Sequence, residues 1–435
     1  MKPHLARLCV LMSLALLALP ALARAADPVD PVTQWDAIAS RVLTGSSTAT
    51  PPLGGQGAAA VPHLAMVHAA IFDAVNSIDP RYEPYLGRVR AKRSFSQDVA
   101  VAAAAHRVLV DGRVVGTPAQ HDALVAIVDP AYEAAKAAVA DGAAKAGGIA
   151  TGEAAAWAVI AARTDDGRFV ADPFPVGPPA PGVWQLTPPA FINDPGAWLR
   201  NVTPFVFHDL ERFRTRGPSP VTSHRYTRDF NEVKSLGEFG STHRTADQTD
   251  AAMFWGEVNA VATWANLIRT LAPLRPMSTV ETARFYALVY LTSADEAIAT
   301  WKDKARWLFW RPVTAIPAAD HDGNPDTAGQ DGWTPLITTP PYPEHPSGLA
   351  ALAAAHTSTL RELFGTDDVA FTGVNGAGRM RHYTSLSQVV DEIVDARVWS
   401  GVHFRTADVQ AARLGRAVAR ARTQHHPILE PLRHR

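Results

Sequence analysis

The spacing of apolar residues limits what this chain can fold into more than any other feature. From Val61 onward, apolar residues recur at intervals of three and four positions, as on one face of an α-helix. Few windows alternate with a period of two, which argues against an extensive sheet. The spacing predicts helices over 61–78, 95–110, 119–141, 148–165, 223–236, 246–271, 279–310, 348–364 and 386–424. Helices of these lengths are typical of stacked helical bundles, so we predict an all-α fold.

Two segments rich in proline and glycine, 173–204 and 312–346, interrupt the helical pattern. The first also carries bulky apolar side chains: Phe174, Trp184, Phe191 and Trp198. A connection of this composition is expected to form an ordered strap over the helices rather than a flexible tether. We therefore divide the chain into an N-terminal helical region with its strap, 26–204, and a C-terminal helical region, 205–435, within one continuous unit.

The overall composition is that of a globular protein without a strong electric field. The chain has 435 residues, of which 47% are hydrophobic, so it can bury a large core. Its formal net charge is -1, which provides no general attraction to nucleic acid or to an anionic membrane. We expect neither as a partner, and any charge that matters must be local.

The first 25 residues have the three-part pattern of a secretory signal peptide. A basic start is followed by an apolar run over 8–22 and by Ala23-Arg24-Ala25, where cleavage is expected. An uncleaved membrane anchor is the alternative, but Pro20 breaks the apolar run. Cleavage would remove Cys9, the single cysteine, and would leave a protein without disulfides. The pattern predicts a secreted or periplasmic protein of bacterial type.

Two segments of the C-terminal region point to an anion. Lys304 and Arg311 are seven residues apart on a predicted helix, which places both cations on one face. The turn with Ser347 and Gly348 follows Pro346 and begins another helix, whose first N–H groups and positive dipole end can receive an oxyanion. Alone, the first pattern is also that of a surface stripe and the second that of a helix cap.

A third segment adds Arg397 and His403, six residues apart in an apolar helical stretch. That spacing corresponds to about 600° around a helix, so the two side chains converge only if Arg397 reaches along the axis. A lone helical histidine is more often structural. Taken with the other two segments, however, it predicts an oxyanion site with three cations and with no carboxylate assigned to pair with them.

These three segments, in this order, resemble the signature of the type 2 phosphatidic acid phosphatase (PAP2) and vanadium-dependent haloperoxidase superfamily. The residues that carry the likeness are Lys304, Arg311-Pro312, Pro346-Ser347-Gly348, Arg397 and His403. The segments 66–84, 181–191 and 340–348 also resemble soluble bacterial haloperoxidase-like members. Because the likeness covers most of the chain after the signal segment, it favours that branch over the small membrane phosphatases.

The resemblance implies a role for each residue of the signature. The oxygens of vanadate or phosphate would be bound by Lys304, Arg311, Arg397, Ser347 Oγ and the Gly348 N–H. Guanidinium groups suit such oxyanions because they donate two parallel hydrogen bonds. His403 would be the axial group, as a vanadium ligand in a peroxidase or as the phosphorus nucleophile that forms phosphohistidine in a phosphatase. The substrates would be hydrogen peroxide with halide, or a phosphoester.

The sequence departs from the family pattern at Leu349, where the family has its acid/base histidine. The loss of such a group costs ~10²–10⁴ in rate, whereas oxyanion binding uses other residues. We hypothesise that His345 or His356 substitutes. By the resemblance, Trp301 and Tyr342, with His345 as a further candidate, would border a halide pocket, and ordinary helix packing is the alternative for the two aromatics.

Three functions therefore remain open on the sequence alone. They are a secreted vanadate-dependent haloperoxidase, a secreted phosphatase that uses the same residues, and an oxyanion-binding relative that has lost catalysis. A homodimer formed through the faces of the helical bundles also remains open.

Overall fold

The computed structural model describes residues 30–45, 53, 57–111, 113–425 and 427–432. The predicted signal peptide and Cys9 lie outside these residues. Within them the fold is all-α, as predicted. Its helices are α1 Pro31–Thr44, α2 Val61–Ile78, α3 Gln97–Asp111, α4 Pro118–Ala137, α5 Ala143–Ala162, α6 His224–Leu236, α7 Ala246–Gly256, α8 Ala260–Leu271, α9 Thr279–Trp307, α10 Pro312–Ala315, α11 Gly348–Phe364, α12 Leu386–Trp399 and α13 Arg405–His425.

A small hairpin lies between α11 and α12 and was not predicted. Its strands are β1 Phe371–Val374 and β2 Met380–Tyr383, antiparallel, with Phe371 opposite Tyr383. Strands of four residues are too short to give a clear period of two in the sequence. The hairpin adds one edge to the bundle without changing its class.

Helix α9 ends earlier than the apolar spacing predicts, and this corrects the proposed geometry of Lys304 and Arg311. Leu308 takes a left-handed conformation with φ 43°, and its N–H donates to the Lys304 carbonyl at 3.0 Å. Pro312 then holds Arg311 in extended backbone as the residue before α10. The two cations therefore do not share a helical face, and the chain turns between them.

The stretch predicted as one helix over 386–424 is two helices, α12 and α13. The break occurs at Gly401, which has φ 80° and would place a Cβ atom 2.4 Å from the Gly237 carbonyl oxygen. A side chain at this position would meet backbone, so glycine is required for the close approach. As a result Arg397 lies near the end of α12, whereas His403 lies in the turn that precedes α13.

The stretch predicted over 246–271 also divides, here into α7 and α8. Asn259 begins the second helix, because its side chain accepts a hydrogen bond from the Val261 N–H at 2.9 Å. Asparagine is a strong helix-start residue, since its side-chain oxygen satisfies an otherwise unpaired N–H.

Helix α9 is the central helix of the core. It packs against α2 on the N-terminal side and against α11 and α13 on the C-terminal side, and one buried apolar cluster extends through all of them. Among the described residues, the stretch Gly57–Ile78 is long and apolar enough to cross a membrane, with a mean hydropathy of 1.5. The fold buries 94% of that window, as expected for a core helix.

The strap between α5 and α6 is fastened to α9 by buried carboxylates. Asp295 accepts hydrogen bonds from three consecutive backbone N–H groups, those of residues 205–207, at 2.5–2.9 Å. Asp303 accepts from the Thr215 N–H at 2.8 Å and from its hydroxyl at 2.5 Å. These bonds hold irregular backbone against the helix that also carries Lys304.

Helices α11 and α13, which position the site, cross at a glycine. A Cβ atom on Gly415 would lie 2.1 Å from the Ala351 carbonyl oxygen and 2.9 Å from the Ala355 nitrogen. We expect Gly415→Ala to lower the free energy of unfolding by about 1–3 kcal/mol, because the helices must separate. Urea denaturation measures the change.

A matched control comes from the exposed face of α13, the helix that carries Gly415. Ala417→Gly at an exposed position should cost about 1 kcal/mol, because helix propensity alone favours alanine. If Gly415→Ala stabilises the protein, as propensity alone would predict, the close crossing is wrong.

Candidate oxyanion site

The fold brings the predicted site residues together at one end of the C-terminal bundle. Each comes from the end of a helix or from a turn beside one, and each except Gly348 is buried. They are Lys304 near the end of α9, Arg311 before α10, Ser347 and Gly348 at the start of α11, Arg397 near the end of α12 and His403 before α13. We call this group the cage. Helix ends can converge where helix faces cannot, so the predicted alignment of Lys304 and Arg311 on one helical face was not required.

His403 is fixed in one tautomer by its two hydrogen bonds. Its Nε2 lies 3.1 Å from Arg311 Nη1, and because a guanidinium group can only donate, Nε2 must be the acceptor. Its Nδ1 therefore carries the proton and donates to Glu344 Oε1 at 3.0 Å. Burial, together with the charges of Arg311 and Arg397, holds the pKa of His403 well below its ordinary value. The neutral ring thus presents the Nε2 lone pair to the cations.

Glu344 is a functional residue that the sequence analysis missed. Its Oε1 accepts from the ring of His403 and from the Phe404 N–H at 2.9 Å. Burial raises the pKa of Glu344 to about 8, and the nearby charge of Arg311 opposes this shift. The sequence offered one signal for Glu344, which is its position directly before His345 in the segment that leads to Pro346-Ser347.

Lys304 uses its hydrogen-bond donors to hold the turn before α11. Its Nζ donates to the carbonyl oxygens of Pro343 at 2.8 Å, Glu344 at 3.3 Å and Pro346 at 2.5 Å. An ammonium group has three N–H donors, so all are engaged in this geometry. Burial, and then the charge of Arg311, lowers the pKa of Lys304 well below its ordinary value. Lys304 therefore contributes charge to the cage and fixes the turn.

Three buried donors of the cage have no hydrogen-bond partner among the described residues. They are Arg311 Nη2, Arg397 Nε and the Ser347 hydroxyl. Arg311 is otherwise well anchored, because its Nε donates to the Tyr342 carbonyl at 2.9 Å and its Nη1 to the Val402 carbonyl at 2.7 Å. Leaving a buried donor unpaired costs about 1–3 kcal/mol, so three together indicate a missing acceptor.

The start of α11 adds backbone donors to the same place. Ser347 precedes the helix without capping it through its side chain, and the first N–H groups of a helix have no partner within the helix. Unpartnered donors beside the Nε2 lone pair of His403 suit an oxyanion, and their chemistry would fit vanadate.

Two aromatic side chains lie against the cage. The rings of Trp301 and Tyr342 are 5.2 Å apart, and Lys304 Nζ lies 4.8 Å from the centre of the Tyr342 ring. A Cβ atom on Gly348 would lie 3.1 Å from the Trp301 ring, so the glycine allows the indole to approach the helix start. The Trp301 indole N–H donates to Asp194 at 2.9 Å, which fixes the ring.

The surroundings of His345 and His356 argue against the hypothesis that either replaces the missing acid/base. His345 Nε2 lies 2.9 Å from the Thr215 hydroxyl, and His356 packs 4.8 Å from Trp264 along α11. Burial lowers the pKa of each to about 3. An acid/base group works best when its pKa lies near the working pH, so neither ring suits the role.

The sequence analysis assigned no carboxylate to these cations, but two buried acidic side chains interact with the cage. Besides Glu344, the second is Asp408, from the first turn of α13. Arg311 and Arg397 both oppose the rise in the pKa of Asp408 that burial causes. The sequence showed Asp408 five residues after His403, but its orientation depends on the break at Gly401.

Comparison with known proteins supports the resemblance seen in the motifs. The model of the second helical-bundle domain of vanadium chloroperoxidase (VCPO) matches residues 284–428, which include every cage residue. A vanadium chloroperoxidase from Curvularia inaequalis is 26% identical over 236 residues, or 40% of this chain and 38% of that protein. The chain thus matches well under half the length of that relative.

Two solved structures share the fold over most of the chain. A bacterial vanadium-dependent iodoperoxidase has a TM-score of 0.72 and 20% identity, covering 92% of this chain and 96% of its own. A bacterial vanadium-dependent chloroperoxidase in its holo form has a TM-score of 0.64 and 18% identity, covering 83% of this chain and 89% of its own. These matches show that the chain has the fold of bacterial vanadium-dependent haloperoxidases, and the family model extends the likeness in sequence to residues 284–428.

Proposed function

We propose that this protein is an exported, vanadate-dependent haloperoxidase that oxidises halide with hydrogen peroxide. The observation that carries the proposal is the set of buried, unpartnered donors beside the Nε2 atom of His403. The signal-like segment 1–25 supports export. The relatives named above support vanadate as the cofactor.

Each cage residue has a defined task in this proposal. His403 would hold vanadium through Nε2, and Glu344 keeps that nitrogen unprotonated by accepting a hydrogen bond from Nδ1–H. Arg311, Arg397 and the Ser347 hydroxyl would bind the oxygens, with the Gly348 N–H. Bound vanadate supplies a Lewis acid that makes peroxide susceptible to attack by halide. Because the cage is buried, its donors act in a medium of low dielectric constant, where they are strongest.

Two other functions use the same residues. In a phosphatase, His403 Nε2 would attack phosphorus, and the same donors would bind the phosphoryl oxygens. An oxyanion-binding protein without catalysis is favoured by one observation, which is Leu349 at the acid/base position. The three functions differ in which reactions appear, so one set of assays separates them.

The test compares the wild type with His403→Ala. Purified protein is assayed with orthovanadate, peroxide and bromide through a halogenation dye, and in parallel for phosphate-ester hydrolysis. We expect halogenation that requires all three components, and we expect the variant to lose it. Vanadate at 100 times its Kd should stabilise the wild type by about 2.7 kcal/mol and the variant far less, as seen in melting temperatures.

The exposed His382 on β2 offers a matched control, since His382→Ala should change neither result. Ester hydrolysis without halogenation would contradict the haloperoxidase proposal. Vanadate binding without either reaction would leave the protein as a binder, and full vanadate affinity in His403→Ala would overturn the site assignment.

A further inference from the structure

Asp408 is the one carboxyl of the cage whose oxygens are both uncommitted. It is 0% exposed, and neither oxygen has a hydrogen-bond partner of good geometry among the described residues. Glu344, in contrast, is engaged by His403 and by the Phe404 N–H. A buried carboxyl without partners is costly, so its presence beside three unpartnered donors calls for an explanation.

The carboxyl interacts with two of the cage donors that lack a partner, Ser347 and Arg397. The Ser347 N–H donates to the Ala407 carbonyl at 3.4 Å, which brings the first turn of α13 against the start of α11. Ser347, at the start of α11, and Arg397, on α12, both act to lower the pKa of the carboxyl. Arg311, Lys304 and Glu344 are the other charged or titratable cage groups that interact with it, and Arg405 does so from its own helix.

The protonation state of this carboxyl decides what it can do. Burial raises the pKa of Asp408 to about 8, although Ser347 and Arg397 oppose the shift. Near neutral pH the group is therefore mostly an uncharged acid. An ionised carboxylate would repel a bound oxyanion, whereas a protonated one can donate a hydrogen bond or a proton to it.

We propose that Asp408 is the acid/base residue of this site and takes the role that Leu349 cannot fill. The inference rests on the proposed function. Leu349 packs against the apolar core and has no proton to give. Burial lowers the pKa of both histidines considered as substitutes to about 3, whereas Asp408 is a buried carboxyl that interacts with both Ser347 and Arg397.

The proposed step balances within the reaction itself. Halide oxidation follows H2O2 + X⁻ + H⁺ → HOX + H2O, in which halide loses two electrons to peroxide. The O–O bond breaks as the O–X bond forms, and the Asp408 carboxyl gives its proton to the oxygen that leaves as water. A proton from solvent then restores the acid.

The first experiment measures the kinetics of Asp408→Asn, which keeps the shape of the side chain but removes its acidic proton. We expect kcat for bromide oxidation to fall by ~10²–10⁴-fold, while the Kd for vanadate changes by less than about tenfold. Adding Leu349→His to Asp408→Asn should recover most of the lost kcat, because the histidine returns an acid/base. Asp229→Asn is the matched control: Asp229 is buried beside α13 and accepts from the Thr406 N–H, outside the cage.

The second experiment has a readout that does not need turnover. Infrared difference spectra between wild type and Asp408→Asn at pH 7 should show the carbonyl band of a protonated carboxylic acid in the wild type. The vanadate affinity of the wild type, divided by that of Asp408→Asn, should be constant below pH 8. Above pH 8 this ratio should fall, since an ionised Asp408 in the wild type repels the ligand.

The possible failures are distinguishable. If the wild type halogenates and Asp408→Asn keeps its kcat, or if the infrared band is missing, the inference is wrong and the proposed function stands. If Asp408→Asn loses vanadate affinity in parallel with kcat, Asp408 is a structural part of the binding site and the inference is wrong. If the wild type binds no vanadate, the proposed function fails and the inference fails with it.

Discussion

Lys304→Met is expected to lower the free energy of unfolding by about 3–9 kcal/mol, since three buried carbonyl oxygens lose their donor at about 1–3 kcal/mol each. Those oxygens belong to the turn that precedes α11, at residues 343, 344 and 346. The turn should therefore loosen, and vanadate binding should be lost with it. Urea denaturation and calorimetry measure the two effects.

Lys302 provides the matched control on the same helix. It is partly exposed and makes no hydrogen bond with the described residues, so Lys302→Met should change stability by about 0.5 kcal/mol at most. If the two variants unfold alike, Lys304 does not hold the turn. A Lys304→Met variant that stays folded but loses vanadate would indicate a direct role in binding.

Arg397→Met should have the opposite effect on the ligand-free protein. Arg397 is 5% exposed and makes no hydrogen bond or ion pair with the described residues. Burial lowers its pKa, which shows that the charge is held at a cost in the absence of an anion. We expect the free energy of unfolding to stay constant or rise, because methionine fills the space without a charge.

The same variant should lose about 2–5 kcal/mol of vanadate binding free energy, or at least ~30-fold in Kd. Calorimetric titration of the folded variant measures this loss. Stability and affinity would then move in opposite directions at Arg397 and in the same direction at Lys304. A destabilised Arg397→Met, or one that binds vanadate normally, would show that this cation is structural.

This contrast separates two kinds of buried cation in one cage. Lys304 is committed to backbone carbonyls, whereas Arg397 is uncommitted and Arg311 is divided between the two roles. The near-zero net charge of the chain conceals this concentration of charge. Burial raises the pKa values of Glu344 and Asp408 to about 8. Near neutral pH both groups are therefore mostly uncharged and do not neutralise the cations.

The sequence was a good guide to local structure and a poor guide to where helices end. Helices α2 and α11 match their predicted bounds, because apolar spacing and flanking turn residues are local signals. The ends at Leu308 and Gly401 depend on tertiary contacts, such as the approach of Gly401 to the Gly237 backbone. No local pattern contains that information.

The site residues were predicted from a signature, but their partners were not. The motifs identified His403 and the arginines, since those residue types at those places are distinctive. Glu344 and Asp408 resemble ordinary surface acids in the sequence. Their roles follow from which helix ends meet, so they became visible in the structure alone.

The fastening of the strap to α9 also limits how relatives of this protein can vary in length. Asp295 and Asp303 are two turns apart on a rigid helix, and they hold residues 205–207 and Thr215 respectively. The chain between these two attachments must span a fixed distance. Insertions and deletions should therefore be rare between 207 and 215, because a change in length there would strain the helix whose lysine serves the cage.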